Sequence, residues 1–263
     1  MTSHGGFKWP ESGLCEAPDW EPTEECGHGL HGFLWGEGDG DLAIWDRDAK
    51  WLVVEVEAET VINLDGKVKF PRGNVVFCGD RLGATTYLAE NGGQGKAIVG
   101  GTATAGYRGT ATAGYRGTAT AGSYGTATAG YRGTATAGDS GTATAGDSGT
   151  ATAGDSGTAT AGSYGTATAG YRGTATAGDS GTATAGDRGT ATAGDRGTAT
   201  AGDRGTATAG DRGTIEVAWY DYAADRRRKA VGYIGENGLL PNVPYRLVDG
   251  KWQAVGQQAG QEA

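Results

Sequence analysis

The sequence predicts an all-β protein: a β-solenoid of about seven 16-residue coils, with a small β-rich (α+β) N-terminal domain and a C-terminal β cap. Three observations predict it. Between Gly101 and Arg212 the chain repeats one octad fourteen times without a change of length: Gly-Thr-Ala-Thr-Ala-Gly plus two variable residues. A period held this tightly marks a unit that stacks on its own copies. Within each octad, Thr-Ala-Thr-Ala alternates with the period of a strand whose two faces differ. Gly-x-x-Gly then places glycines on either side of two polar residues, a tight-corner signal because glycine tolerates positive φ.

Composition sets the boundaries. All seven Trp and every large aliphatic residue lie in residues 1–100 or 213–263. The chain therefore divides into an N-terminal domain (1–100), the octad array (101–214) and the cap (215–263).

In the N-terminal domain, Trp51–Glu57, Lys67–Phe70 and Asn74–Cys78 read as strands, and 82–89 as one short helix. Cys26, His28 and His31 carry side chains able to bind zinc, with Cys15 or Cys78 as a fourth ligand. Their spacing fits no common zinc signature, so the reading is no metal and no cofactor. Glu37, Asp39 and Asp41 alternate with glycine. They lack the terminal bidentate Glu of a calcium loop and read as a glycine-rich turn.

In the array, a helix is disfavoured because every octad holds two Gly and two β-branched Thr. One octad is too short to close on itself. Two octads complete a coil of two strands and two corners, and fourteen make seven coils, each rising about 4.7–4.9 Å. Ala103 and Ala105 and their equivalents would face inward. Ala97-Ile98-Val99 leads in, and Ile215, Val217 and Trp219 lead out on one strand face, since exposed sheet ends must be covered.

The outward residues are then Thr102, Thr104, Thr110, Thr112, Thr118, Thr120, Thr126, Thr128, Thr134, Thr136, Thr142, Thr144, Thr150 and Thr152. They continue as Thr158, Thr160, Thr166, Thr168, Thr174, Thr176, Thr182, Thr184, Thr190, Thr192, Thr198, Thr200, Thr206 and Thr208. Stiff at χ1, they would form a preorganised grid of hydroxyls and methyls able to order water.

In the cap, Ile215–Tyr222 alternates, and Arg226 to Lys229 reads as a solvated turn before a strand at 230–234. Glu236-Asn-Gly238 is a hairpin signal, Val248 to Lys251 is a second turn, and Gln253–Ala263 reads as a frayed tail.

Charge narrows the partners. The array holds eight Arg and eight Asp, so the net charge of −9 sits on the flanks. That argues against nucleic acid. Met1 to Pro22 has no basic and apolar leader pattern, and no run approaches 18 apolar residues. With three cysteines and no disulfide framework, the expectation is a cytoplasmic or virion-associated protein without signal peptide or membrane partner. No Ser/His/Asp set, phosphate loop or paired acid site stands out, and the expectation is a non-enzymatic protein.

Read from the Ala before the corner, the octads run Ala-Gly-Tyr-Arg-Gly-Thr-Ala-Thr and Ala-Gly-Asp-Ser-Gly-Thr-Ala-Thr. They resemble the two halves of the repeat of bacterial ice nucleation proteins, A-G-Y-G-S-T-x-T and A-G-E-D-S-x-L-T, over residues 101–214. The resemblance implies outward Thr-x-Thr rows that organise ice-like water, stacked Tyr ladders, and C-terminal Arg-bearing coils that self-associate into a homo-oligomer. Here the matching assembly candidates are Tyr115 and Tyr131, expected to stack in neighbouring coils, and Arg188, Arg196, Arg204 and Arg212. The family's arrays are far longer, and its two-octad alternation is absent, so both faces would carry Thr-x-Thr. Residues 26–35 resemble an uncharacterised domain found ahead of such repeats in phage and bacterial proteins. Two functions therefore compete: binding of ice or ordered water, or a structural rod or spacer, phage-associated or otherwise self-assembling.

Overall fold

The computed structural model describes residues 6–256. The chain forms two compact units, the first holding residues up to 103 together with 112–118, the second 104–111 and the chain from 119 onward.

In the first unit, strands β1 (Gly13–Glu16), β2 (Leu30–Gly32), β3 (Trp51–Glu55), β4 (Ile62–Asn63), β5 (Val68–Phe70) and β6 (Arg72–Gly79) precede helix α1 (Arg81–Glu90). They build two antiparallel sheets of three strands, ordered β1-β6-β3 and β2-β5-β4. Cys15, Leu30, Val68, Phe70 and Val75 form the core between them, with Trp9, Trp20, Leu52 and Val54 packed around it. The expected strands and helix are present, and β1, β2 and β4 are additional. Asp80 starts the helix by accepting from the Gly83 N–H at 2.7 Å. Lys69 is fully buried on β5, where its ammonium donates to Thr23 Oγ1 and the Glu25 carbonyl, 3.2 and 2.9 Å away.

The octads form a β-solenoid. Each contributes a four-residue strand, from Thr102–Ala105 to Thr206–Ala209. Strands of alternate octads pair in parallel, like on like: Thr126 faces Thr142 in one sheet, and Thr134 faces Thr150 in the other. One circuit therefore takes two octads, and two parallel stacks result. Ala127 and Ala135 are fully buried, and Ala129 and Ala137 only 3% exposed. From Thr110 to Ala193 the first Thr of each strand points to solvent and the second is half-buried. Alternation at period two sends the methyls inward, and a side chain this small lets the two sheets close on each other.

The corners overturn the expected role of glycine. Positive φ falls on the second variable residue of all fourteen octads, from Arg108 (56°) to Arg212 (54°), and on none of the octad glycines. Gly141 N–H donates to the Gly138 carbonyl at 3.0 Å across the turn. A left-handed residue at the third position is the pattern of a type II turn. For a residue with Cβ this costs about 1–2 kcal/mol. The glycines answer a different demand, because successive coils touch there through their backbones. A Cβ on Gly138 would stand 2.7 Å from the Ser123 nitrogen, and one on Gly141 2.9 Å from the Gly125 carbonyl oxygen, both one coil back. The same closeness lets Ser140 N–H reach the Asp155 carbonyl at 2.8 Å and Thr142 N–H the Gly125 carbonyl at 2.9 Å.

The C-terminal cap extends one stack by a parallel and then an antiparallel strand, and the other by antiparallel strands alone. β21 (Thr214–Asp221) lies parallel on Thr198–Ala201, with Ile215 and Val217 taking the inward register of Ala199 and Ala201, at 0% and 1% exposure. β22 (Arg226–Tyr233) closes it in an antiparallel pair. The basic run is thus strand, not turn. Arg227, Arg228 and Lys229 reach Asp187, Asp221 and Glu216 at 3.2, 2.6 and 2.9 Å, so facing carboxylates hold it extended, and the turn falls at 222–225. Glu236-Asn-Gly238 makes no hairpin either. It hands the chain from β22 in one stack to β23 (Tyr245–Val248) in the other. β23 pairs with β24 (Lys251–Ala254) around Asp249 and Gly250, both at positive φ, the two-residue turn whose twist suits a hairpin. Gln253 and Ala254 belong to that strand, and the rest of the expected tail, from 257, lies outside the described residues.

Substituting Gly138→Ala should destabilise the solenoid by about 1–3 kcal/mol, because the added methyl meets backbone that cannot turn aside. Ser140→Gly should change stability by less than about 1 kcal/mol, relief of the left-handed strain offsetting the looser unfolded chain. Thermal unfolding followed by circular dichroism distinguishes the two.

Candidate functional site

The outward faces of the two stacks are the surfaces the repeat builds most regularly. From Thr126 to Thr208 each coil adds one Thr-x-Thr row to each face, in strict register with its neighbours. Spacing follows from strand geometry: about 6.6–6.8 Å between the two threonines of a row and about 4.7–4.9 Å between rows. Thr102, Thr104, Thr110, Thr112, Thr118 and Thr120 are likewise exposed or half-buried. No strand of the array carries a charged side chain, so all array charge lies at the corners. A face of this kind offers hydroxyls that donate and accept and methyls that shed water, on a backbone fixed by pairing. It offers no charged group to a phosphate or a carboxylate. The two faces have the same exposure pattern, so nothing in the fold ranks one above the other.

Corner side chains form ladders of their own. Asp139 accepts from the Asp155 N–H at 3.0 Å, and Asp155 in turn from the Tyr171 N–H at 2.8 Å. At the other corner, Asp179 accepts from Asp195 N–H and Asp195 from Asp211 N–H, at 3.1 and 2.8 Å. Each carboxylate thus staples its own coil to the next one, sixteen residues on. Sequence reasoning missed these ladders, although Asp recurring at that interval was a usable signal. It also missed the edge-on contact of Tyr107 and Tyr124, whose ring centres are 5.6 Å apart.

The assembly candidates all occupy corner positions of their octads. Tyr115 lays its ring on Trp45, with centres 5.5 Å apart, and its hydroxyl donates to Asp41 at 2.5 Å. Tyr131 lies under the Arg132 guanidinium. Arg188, Arg196, Arg204 and Arg212 are exposed, and because octads alternate between stacks, Arg188 and Arg204 share one corner and Arg196 and Arg212 the other. Arg204 and Arg212 each approach the Asp before them at 3.6 and 3.5 Å, exposed pairs worth little.

The metal-capable residues of the first unit do not converge. Cys15 is buried and donates to the Gly73 carbonyl, Cys26 is exposed beside Lys67, and Cys78 packs against the core. No cluster of three such side chains occurs among the described residues. Glu37 instead binds the segment leading into the array. Its carboxylate accepts from Ala97 N–H at 3.0 Å and pairs with Lys96 at 3.2 Å. The Ala97 bond, followed by Lys96, holds the Glu37 carboxyl below its ordinary value.

No protein-family model matches the chain, and no solved structure does. Curated ice nucleation proteins do match. The one from Pseudomonas fluorescens is 44% identical over 93 residues, covering 35% of this chain and 8% of that protein. The one from Pseudomonas syringae is 41% identical over 91 residues, 34% of this chain and 8% of its own length. The array is an ice nucleation protein-like repeat. A third relative, from Xanthomonas campestris pv. translucens, is 40% identical over 93 residues, 35% of this chain and 6% of that protein. The chain therefore spans under a tenth of the length of these relatives. Among the described residues, no helix is long and apolar enough to cross a membrane.

Two outcomes test the contacts described here. Asp139→Ala should speed amide exchange at Asp155, and Asp139→Asn, which keeps an acceptor, should restore much of the protection. A carboxyl held low in the folded state stabilises it above the unfolded value and loses that contribution as pH falls. Stability of the first unit should therefore drop as pH falls below about 4.5, and by less in Glu37→Gln.

Proposed function

We propose that the Thr-x-Thr faces bind ice or order water into an ice-like layer. One observation carries the reading: identical threonine rows, outward and uncharged, repeated coil on coil in parallel register. Preorganisation is what makes such a surface effective. Pairing has already fixed the backbone and β-branching the side chains, so ordered water need not pay to arrange them. The names of the relatives that match the repeat support the same reading. Because the array is seven coils long, a single molecule offers a small template. The activity expected of a monomer is adsorption to ice and restraint of its growth, with nucleation requiring several copies side by side. The exposed arginines at the C-terminal corners are candidates for that association.

Purified protein should shape ice crystals and inhibit recrystallisation. Replacing Thr134, Thr136, Thr142 and Thr144 by Lys puts charge on both faces while leaving the inward alanines untouched. The activity should fall to that of buffer, with the strand signal in circular dichroism unchanged. Unaltered activity in that variant would refute the threonine mechanism. Failure of the parent protein to affect ice at all would favour the rod or spacer reading, which needs the solenoid but not its hydroxyls.

A further inference from the structure

One stack of the solenoid ends on an open edge. β22 is the last strand of its nine-stranded sheet, and among the described residues its one strand partner is β21. An open edge is a template for another chain, and proteins blunt it with bulges, proline, short strands, charge or a covering segment. β22 is eight residues long, holds no proline and keeps unbroken register with β21 from Arg226 to Tyr233. Charge is the blunting device it carries, and three of its four cations are neutralised at home. Arg227, Arg228 and Lys229 are tied to Asp187, Asp221 and Glu216 of their own chain.

The ladder decides which backbone groups face outward. Ile234 N–H donates to the Gly213 carbonyl at 3.0 Å. In an antiparallel pair, residues bonded to the partner alternate with residues turned away from it. Ala230, Gly232 and Ile234 therefore bond toward β21, and the N–H and C=O groups of Arg227, Lys229, Val231 and Tyr233 point away. Of these, the Tyr233 carbonyl also accepts the Glu236 N–H at 3.1 Å. Gly232 and Ala230 stand opposite the inward Ile215 and Val217, so the side chains of the other four lie on the outer face. Val231 and Tyr233 remain 46% and 55% exposed there.

We propose that β22 pairs antiparallel with β22 of a second copy, joining two solenoids end to end about a two-fold axis perpendicular to the sheet. That axis keeps each residue on its own face, so the pairing centres on a residue rather than between two. Two such registers use seven of the eight residues. Centring on Lys229 sets that cation against itself, which is unfavourable. Centring on Ala230 sets Arg227 opposite the partner's Tyr233, Arg228 opposite the partner's Gly232 and Lys229 opposite the partner's Val231, so no like charges meet. The outward-facing groups are then the ones that bond, and the Arg227 guanidinium reaches an exposed aromatic ring, a favourable pair. The two-fold axis also leaves the threonine rows of this stack on the same side in both copies. The interface rests on the cap strand, and neither on the threonine reading nor on the corner arginines.

Full-length protein is followed by sedimentation equilibrium over a range of concentrations, and the expected result is a reversible monomer–dimer equilibrium. Val231→Pro deletes an outward N–H without deleting a bond to β21, a place where an edge strand tolerates proline. It should leave a monomer with an unchanged strand signal in circular dichroism. Val231→Lys keeps the backbone intact and lies beside Glu216 at home, but it meets the partner's Lys229 twice per dimer. Association should weaken roughly tenfold. In a Cys26→Ser background, Ala230→Cys should cross-link two chains through the introduced thiols, because that register brings the two Cα atoms about 4.5 Å apart. Arg227→Cys should not. A monomer at every concentration, a dimer that survives both Val231 variants, or cross-linking by Arg227→Cys in place of Ala230→Cys would overturn the proposal. Should Val231→Pro fail to fold, Val231→Lys and the cross-link still decide.

Discussion

Contact between the backbones of successive coils is the constraint on which the solenoid depends. Along the strands it is ordinary parallel pairing, but here it continues through the corners, where Ser140 N–H meets the Asp155 carbonyl and Thr142 N–H the Gly125 carbonyl. Most β-structures relax at their turns; this one stays paired. Two consequences follow for the composition. The glycines bracketing the corners from Gly122 onward leave no room for a Cβ against the coil before. The interior accepts nothing larger than alanine until the stack ends, where Ile215 and Val217 replace Ala in the same register and close it. A core of methyl groups alone is weak, so backbone pairing, the Asp ladders and the capped end share the work that large side chains do elsewhere.

Much of the array was legible because each octad states its strand, its inward face and its corner in the same order. The 16-residue circuit followed from chain length alone. What could not be read from one octad was anything that depends on its neighbour. The glycines look like positive-φ residues within a period, and only the stacked backbone shows that Arg, Tyr and Ser take that conformation while glycine yields space. The Asp carboxylates look like solvated charges until the next coil brings an N–H to them. In the flanks, composition predicted strands but not their partners. The basic run at 226–229 was misread because its neutralising carboxylates come from outside it, Glu216 and Asp221 from β21 and Asp187 from a corner of the array.

Rigid pairing and surface chemistry meet on the threonine faces. A flexible chain with the same hydroxyls would present no fixed spacing to water. Here spacing is inherited from the strand rise and the coil repeat, and neutrality from the placement of every array charge at the corners. The repeat thus separates two tasks within eight residues. Four build and display the face, and the other four turn the chain and bind it to the coils above and below.

The sameness of the two stacks has a consequence for how such a gene can change. If the faces differed, only insertion or loss of whole circuits would keep each in line. With identical strands on both sides, one copy can be gained or dropped: every downstream strand swaps stacks and finds an equivalent strand to pair with. Array length is then free to drift in steps of eight codons, and selection can tune the size of the surface finely without rebuilding the fold.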